Sequence, residues 1–259
     1  MWKPASPYNN LPELPPPFRE TAKIFRQTTQ SRVALERLHQ TVRLLPEKEI
    51  FVQIIPVLEA QASSEIENIA AATDNLFKYL DADSQADDAA KEVLRYRQAL
   101  WKGMDSLKRC PLSLRTMTAV SSTLRGSKVS VRKLNGTCIA SASSGQVIYT
   151  PPAGEALILE KLHNLVEFLH SPSEMDPLVK MAIAHYQFEA IHPFSDGNGR
   201  TGRIPEYSLF RLRAGFSASL FCICQDISSG INSNTMPLFS TSQKEGGLGR
   251  TGFFSCSGC

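Results

Sequence analysis

The sequence predicts a mostly helical protein that carries one β-hairpin. Apolar residues recur at helical spacing through most of the chain, and strand-like residues occur in one region only, on both sides of a Ser/Gly turn. No internal repeat is present. The chain has 259 residues, 42% hydrophobic and 20% charged, which is the composition of an ordinary soluble globular protein with one sizeable core or two small domains.

Five segments have the apolar periodicity of helices, and a proline-rich stretch precedes them. That stretch, residues 1–20, contains Pro4, Pro7 and the run from Pro15 to Pro17, which predicts an extended arm. The predicted helices span residues 21–45, 46–60, 89–102, 153–169 and 177–189. The apolar stripe of the first helix consists of Ile24, Val33, Leu35, Leu38 and Val42. The residues expected to be buried in the second helix are Ile50, Ile54, Ile55, Val57 and Leu58.

The predicted hairpin lies within residues 129–152. Cys138 and Ile139 precede a turn at residues 141–145, and a strand-like run at residues 146–150 follows it. Two prolines, at positions 151 and 152, then end the second strand, because proline cannot donate a ladder hydrogen bond. This hairpin is the only strand pair that the sequence predicts.

Charge and hydropathy argue against several classes of partner. The formal net charge is only +3 and no basic patch is evident, so neither a nucleic acid nor a membrane surface is expected as a partner. No apolar run approaches the roughly 18 residues of a membrane-spanning helix, and residues 1–4 lack the apolar start of a signal peptide. Only Cys110 and Cys138 occur in the first two hundred residues, so no disulfide framework is indicated and the expected compartment is the cytoplasm.

The segment from His192 to Arg203 has the parts of a site for phosphoryl or nucleotidyl transfer. Gly197-Asn198-Gly199 before a helix predicts an anion cradle, because glycines let main-chain N–H groups converge at the positive end of the helix. Arg200 and Arg203, three residues apart, share one helical face and can grip phosphate oxygens. Asp196 offers a hard oxygen ligand for Mg²⁺, and His192 can accept a proton near neutral pH.

This segment resembles the signature of the Fic (Fic/Doc) family, His-x-Phe-x-Asp/Glu-Gly-Asn-Gly-Arg-x-x-Arg, at every specified position. The resemblance implies an all-α fold, a Fic-type helical bundle with a small β-hairpin flap. It implies that the enzyme transfers AMP from ATP, with Mg²⁺, to a Ser, Thr or Tyr hydroxyl of a target protein. Relatives often dimerise to regulate their inhibition, so a homodimer is one implied arrangement.

The resemblance also implies a role for each residue of the site. His192 would deprotonate the target hydroxyl, Asp196 would hold Mg²⁺, and Phe194 would anchor the loop in the core. The implied nucleotide-binding residues are Gly197, Asn198 and Gly199 as the anion hole, Arg200 on the phosphates and Arg203 on the γ-phosphate. The flap, which would position the target segment by strand pairing, comprises Val147, Ile148, Tyr149 and Thr150.

A second short pattern lies upstream. Ser63, Glu67 and Asn68 match the family's inhibitory pattern Ser/Thr-x-x-x-Glu-Gly/Asn. In relatives that carry it before the core, its Glu pairs with the second arginine of the signature, here Arg203. A carboxylate on Arg203 would block productive binding of the γ-phosphate, so the chain is expected to be autoinhibited.

The predicted organisation has three parts. Residues 1–88 form the arm and a helical region with the inhibitory helix, residues 89–204 form the Fic catalytic core, and residues 205–259 form an atypical, poorly ordered tail. The tail departs from the family after Arg203, and back-translation of residues 224–232 in another frame permits a family-like continuation, which is the hypothesis of a frameshifted product. Three alternatives stay open: another nucleotidyl or phosphoryl transfer, removal of AMP from a target, and an inactive nucleotide-binding remnant.

Overall fold

The computed structural model describes residues 3–44, 54, 57, 58, 60–62, 64, 65, 71–78, 87–141, 144–203 and 254–255. Its helices are α1 (Ala22–Leu44), α2 (Thr73–Lys78), α3 (Asp88–Arg109), α4 (Leu114–Arg125), α5 (Glu155–His170) and α6 (Pro177–Ile191). Its strands are β1 (Ile139–Ser141), β2 (Val147–Tyr149) and β3 (Phe254–Ser255). A further helix begins at residue 198, and the described residues between 54 and 65 are also helical.

The mostly helical fold with one hairpin is confirmed, and most predicted helices lie within a few residues of their observed positions. Helix α3 continues to Arg109, well past the predicted end at residue 102. Helix α4 was not predicted, because its sequence is rich in Ser and Thr, which have modest helix propensity. Ser113 caps its start by accepting from the Thr116 N–H, and Gly126 ends it in a left-handed conformation.

Burial in the first two predicted helices follows the sequence pattern only in part. Leu35 and Val57 are buried as expected, but Val33 is 47% exposed and Leu58 is 42% exposed, so these two core assignments were wrong. Tertiary packing covers a narrower stripe than the periodicity predicts. Ile24 and Ile54 are half-buried, and the side chains outside the described part of the chain are Leu38, Val42, Ile50 and Ile55.

Two hydrophobic clusters form the core. One is centred on α3 and α4, with Tyr96, Leu100 and Leu124 buried, and the other is centred on α5 and α6, with Ile158 and Phe188 buried. Apolar burial is the main stabilising term of such a fold. Phe194, in the loop that follows α6, belongs to the second cluster, and Leu124 of the first cluster approaches Gly197 of the same loop.

The hairpin pairs β1 with β2 in antiparallel register, Ile139 opposite Tyr149 and Ala140 opposite Val147, with an irregularity between the two pairs. Its turn is closed by a bond from the Gly145 N–H to the Ser141 carbonyl at 2.8 Å. The other edge of β1 pairs with β3. The hairpin is therefore a small element beside the helices.

The proline-rich arm is packed against the flap, α5 and α6. Leu11 and Leu14 are buried, and the Leu14 N–H donates to the Asn164 side chain at 2.7 Å. From α6, the Gln187 side chain donates to the Pro12 carbonyl of the arm at 2.8 Å. The arm therefore belongs to the fold.

In the described part of the chain, no helix combines the length and the apolar character needed to cross a membrane.

Candidate active site

His192 ends helix α6 in an unusual backbone conformation. Its φ of 49° is left-handed, which costs energy for a residue with a side chain, and its N–H caps the helix by donating to the Phe188 carbonyl at 2.9 Å. The side chain is only 6% exposed. By distance and angle neither ring nitrogen makes a hydrogen bond within the described residues, while the main-chain carbonyl of Glu189 lies near enough to act on the ring. The turn therefore holds a buried imidazole whose nitrogens are not engaged in a hydrogen bond of ordinary geometry.

The surroundings of His192 keep its ring neutral. Burial, together with the smaller effect of the Arg132 charge, lowers its pKa from the ordinary 6.5 to about 4. The main-chain carbonyl of Glu189 and the Asp196 carboxylate act in the opposite direction with smaller effect. A neutral imidazole can accept a proton at physiological pH.

The same shift predicts how stability depends on pH. The pKa of His192 in the folded protein, about 4, lies below the ordinary value of 6.5. Between these two pH values the unfolded chain therefore binds more protons than the folded protein. The contribution of His192 to the free energy of unfolding is lost as the pH falls from 6.5 toward 4. We expect acidification from pH 7 to pH 4.5 to lower the free energy of unfolding by about 2 kcal/mol more in the wild type than in His192→Gln. Urea unfolding at both pH values measures this, and equal losses in the two proteins would contradict it.

Asn198 shapes the loop that follows His192. Its side-chain oxygen accepts from the Phe194 N–H at 2.8 Å, and its side-chain nitrogen donates to the Phe194 carbonyl at 2.8 Å. Phe194 is fully buried and packs against Phe188, with ring centroids 6.3 Å apart. The loop is thus closed by a two-way amide bond and anchored in the core, as the resemblance implied for Phe194.

Gly197 is required at its position by both conformation and space. Its φ is 72°, and a Cβ added there would lie 2.7 Å from Cδ2 of Leu124 in α4. The close approach joins the loop to the α3–α4 cluster. The Thr201 N–H donates to the Gly197 carbonyl at 2.9 Å, so the next helix begins directly from this glycine and leaves its first main-chain N–H groups at the loop.

Asp196 is half-exposed, and both of its carboxylate oxygens have partners. The Gly197 N–H donates to Oδ1 at 2.7 Å, and the Arg125 guanidinium pairs with Oδ2. No local sequence pattern could have identified Arg125, which lies at the end of α4. Among the described residues no group of three or more metal-binding side chains occurs.

Arg200 is buried deeply, with 1% of its surface exposed. Its Nη2 donates to Glu92 Oε1 of helix α3 at 2.8 Å, while Nε and Nη1 have no partner within the described part of the chain. The neighbouring Thr201 hydroxyl is also buried and, among the same residues, unpartnered. Glu92 was missed by sequence analysis because 108 positions separate it from Arg200.

Gly202 brings this helix against α6. A Cβ at this position would lie 2.5 Å from Glu189 Oε1 and 2.9 Å from the Phe188 ring, and the Gly202 carbonyl lies 3.4 Å from His185 Nδ1. His185 is therefore a packed and hydrogen-bonded residue. Arg203 follows and is half-buried.

A buried arginine that the sequence did not point to, Arg132, lies behind His192. Its Nε donates to the His192 carbonyl at 2.7 Å, and its Nη2 donates to the carbonyls of Ile191, at 3.2 Å, and of Pro152. Its own N–H donates to the Pro193 carbonyl at 2.9 Å. Arg132 therefore connects the turn at His192 with the end of the hairpin.

The predicted flap residues lie together at the end of α6. Val147, Ile148 and Tyr149 are half-buried and Thr150 is buried. The Tyr149 hydroxyl donates to the Ala190 carbonyl at 2.9 Å, and burial raises the pKa of this phenol. The hairpin is thereby fixed two residues before His192.

The arm covers one side of the flap. The Thr150 carbonyl accepts from the Tyr8 N–H at 3.0 Å, and the Thr150 hydroxyl donates to the Pro4 carbonyl at 2.6 Å. The rings of Tyr8 and Tyr149 meet edge to face at 6.4 Å. Thr150 is therefore engaged by the arm through its carbonyl and its hydroxyl.

The predicted inhibitory residues Ser63, Glu67 and Asn68 lie outside the described residues, as does the tail from residue 205 apart from β3. The pairing of Glu67 with Arg203 and the frameshift hypothesis therefore stay predictions.

Two sequence models of one family match the chain. The model described as "Fic/DOC family N-terminal" matches residues 25–105, and the model described as "Fic/DOC family" matches residues 112–206. Together they cover the helices and the whole segment from His192 to Arg203.

Curated relatives are similar over a shorter stretch. Protein adenylyltransferase fic-1 of Caenorhabditis briggsae is 46% identical over 70 residues, which is 26% of this chain and 13% of that protein. Protein adenylyltransferase Fic of Drosophila ananassae is 42% identical over 65 residues, 25% of this chain and 13% of that protein. The matched stretch is thus about an eighth of each relative.

Solved structures share the fold at low identity. A Fic family protein from Desulfovibrio desulfuricans G20 has a TM-score of 0.57 at 20% identity, covering 82% of this chain and 65% of that one. A Fic domain containing signaling protein from Bacteroides thetaiotaomicron has a TM-score of 0.58 at 18% identity, covering 77% of this chain and 79% of that one.

Proposed function

Because the chain belongs to the Fic/DOC family, we propose that it transfers AMP from ATP to a Ser, Thr or Tyr hydroxyl of a target protein. One observation carries the proposal. Buried polar atoms of His192, Arg200 and Thr201, all on one loop and the helix after it, have no partner among the described residues. Such atoms are costly unless a ligand or an ordered water bonds to them, and a base on the same segment as cationic donors suits a phosphate ester. The names of the curated relatives support adenylyl transfer as the reaction.

In the proposed reaction His192 is the general base. The target hydroxyl gives its proton to an imidazole nitrogen, and its oxygen forms a bond to the α-phosphorus of ATP. The bond from that phosphorus to the pyrophosphate oxygen breaks, and the electron pair leaves with pyrophosphate. The ring is neutral at physiological pH, so its unprotonated nitrogen can accept the proton.

The loop and the two arginines would hold the triphosphate. The main-chain N–H groups of Gly197, Asn198 and Gly199 would donate at the start of the helix, where the backbone dipole favours anions. Arg200 would use Nε and Nη1, while Glu92 holds its Nη2 and thus fixes the direction of the guanidinium. Arg203 would contact the γ-phosphate.

Asp196 fits a magnesium ion under one condition. Mg²⁺ at nucleotide sites is usually held by one or two carboxylates together with substrate phosphates, and Asp196 is a half-exposed carboxylate beside the loop. Its Oδ2 is paired with Arg125, so Arg125 must move aside for this oxygen to bind the ion. When bound, Mg²⁺ supplies neutralisation of the phosphate charge.

Autoinhibition is the second part of the proposal. The Ser63–Asn68 pattern is typical of inhibitory helices in the family, and Glu67 would pair with Arg203 and exclude the γ-phosphate. The family assignment and the half-buried position of Arg203 on the helix after the loop support this pairing.

Labelling with ATP carrying ³²P in the α-phosphate tests both parts. We expect Glu67→Gly to raise self-labelling at least about tenfold over the wild type, because loss of one charge-assisted pair to Arg203 restores productive binding of the γ-phosphate. Glu65→Gly is the matched control, since Glu65 is exposed and two residues away, and it should leave labelling unchanged. Labelling of Glu67→Gly at or below the wild-type level would contradict autoinhibition.

Mass spectrometry of the labelled protein separates the alternative reactions. A mass increase of one AMP supports the proposal, and an increase of one phosphate would indicate phosphoryl transfer. Loss of AMP from a modified target would indicate the reverse activity. A thermal shift with ATP and Mg²⁺, but no transfer in any variant, would identify a nucleotide-binding remnant.

A further inference from the structure

Arg132 is an arginine with a distinctive set of partners. It is 8% exposed, and its guanidinium bonds to three main-chain carbonyls, those of Pro152, Ile191 and His192. In the part of the chain that the structure describes, no carboxylate pairs with it. A buried cation is costly to place, so the positions of the three carbonyls that accept from it indicate its role.

Two of these carbonyls belong to the turn that carries the proposed base. Ile191 is the last residue of α6 and His192 is its cap, and carbonyls at a helix end lack partners within the helix. The Nε and Nη2 groups of Arg132 supply those partners. They hold the peptide of His192 in a left-handed conformation that a residue with a side chain adopts only at a cost.

The third carbonyl belongs to the chain leaving the flap. Pro152 follows β2 by three residues, and Nη2 of Arg132 bonds to its carbonyl and to that of Ile191. One planar group therefore spans the flap and the turn. The bond from the Arg132 N–H to the Pro193 carbonyl fixes the arginine itself to the far side of the same turn.

We propose that Arg132 is a positioning residue that sets the spacing between the flap, where the target segment would pair, and the His192 imidazole, which would deprotonate the target hydroxyl. This inference rests on the proposed function, because the flap and the base matter jointly only if a target hydroxyl is delivered between them. The proposed role requires no contact of Arg132 with the triphosphate or the target, because its guanidinium donates to main-chain carbonyls. It acts by holding two main-chain segments in register, and transfer steps are sensitive to displacements of about an ångström.

Tyr149 strengthens the same connection from the flap side. Its hydroxyl donates to the Ala190 carbonyl at 2.9 Å, one residue before the carbonyl of Ile191 that Arg132 holds. Consecutive carbonyls at the end of α6 are thus tied to the flap by different side chains. Flap and turn should therefore move as one unit while Arg132 is present.

Four variants separate positioning from general stability and from charge. Arg132→Met removes all guanidinium donors at similar length, and Arg132→Lys keeps the charge without the planar fork. Arg115→Met removes one exposed arginine from α4 and controls for net charge. Ile158→Val shortens a fully buried side chain of α5, outside the turn and the flap, and controls for lost stability.

Amide hydrogen exchange and the ring signals of His192 give the decisive readouts. We expect Arg132→Met to speed exchange of the His192 and Ala153 N–H groups at least about tenfold relative to buried amides of α3. The pKa of His192 should rise from about 4 but stay below 6.5, because the Arg132 charge is lost while burial, the larger cause, remains. Arg132→Lys should keep the low pKa and show intermediate exchange.

Kinetics in the Glu67→Gly background add a third readout. We expect kcat for AMP transfer to fall about 10- to 100-fold in Arg132→Met, with KM for ATP changed less than about twofold, since the phosphates are held elsewhere. Arg115→Met should match its parent. The inference is overturned if Ile158→Val reproduces the exchange pattern, or if Arg132→Met leaves exchange at the turn and kcat unchanged.

The two proposals fail differently. If the parent chain transfers no AMP, the proposed function fails, while exchange and the His192 titration still decide whether Arg132 holds the turn and the flap together. If Arg132→Met is too unstable to purify, Arg132→Lys carries the test alone, with intermediate exchange expected and unchanged exchange counting against the inference.

Discussion

Replacement of His192 by alanine is expected to reduce AMP transfer by about 10²- to 10⁴-fold, the usual contribution of a general base. The imidazole is buried on a capped turn, and its nitrogens have no partner among the described residues. ATP binding should persist in His192→Ala, because the phosphates would be held by the loop and the arginines.

The measurement pairs α-phosphate labelling with calorimetric ATP binding in the Glu67→Gly background. His185→Ala serves as the matched control, since His185 lies two turns earlier on the same helix and bonds to the Gly202 carbonyl. It should keep transfer within a few-fold of the parent. Transfer by His192→Ala above about a tenth of the parent rate would show that another group accepts the proton.

The second large effect is expected at Asn198. Alanine there leaves the Phe194 N–H and carbonyl without the amide that satisfies both of them. Unsatisfied buried groups and a small cavity together lower the free energy of unfolding by about 2–4 kcal/mol. Because the same loop would cradle the triphosphate, we also expect transfer to fall about 100-fold.

Two further variants locate this effect in the loop. Asn198→Asp keeps the acceptor for the Phe194 N–H but places a carboxylate against the Phe194 carbonyl, so it should be no better than alanine. Asn164 makes the same two-way bond to Leu14, at 2.7 and 3.0 Å, in a half-buried position on α5. Asn164→Ala should lower stability in urea unfolding and affect transfer much less. Equal loss of transfer in both alanine variants would assign the effect to stability alone.

The sequence predicted those parts of the site that are contiguous along the chain. One uninterrupted segment runs from His192 to Arg203, and its residue types indicate anion binding. The helices around it have clear apolar periodicity. The family match over residues 112–206 agrees with this. The residue types of this segment and the apolar periodicity of the helices were sufficient to predict both.

The supporting residues could not be predicted in the same way. Glu92, Arg125 and Arg132 contact the segment from 60 to 108 positions away, and nothing in their neighbourhood marks them. Helix α4, which carries Arg125 and places Leu124 against Gly197, has a Ser/Thr-rich sequence that packing stabilises despite its propensity. Such residues are recognised only when the chain is folded.

The packed arm affects the order in which the molecule can be completed during synthesis. Pro4 bonds to a residue made 146 positions later, and Pro12 to one made 175 positions later. Gln187 must therefore emerge from the ribosome before the arm can make all of these contacts, and long separations of this kind slow folding. Until then the arm stays undocked and Leu11 and Leu14 are uncovered, so the flap receives its last support only after nearly all of the catalytic core has been translated.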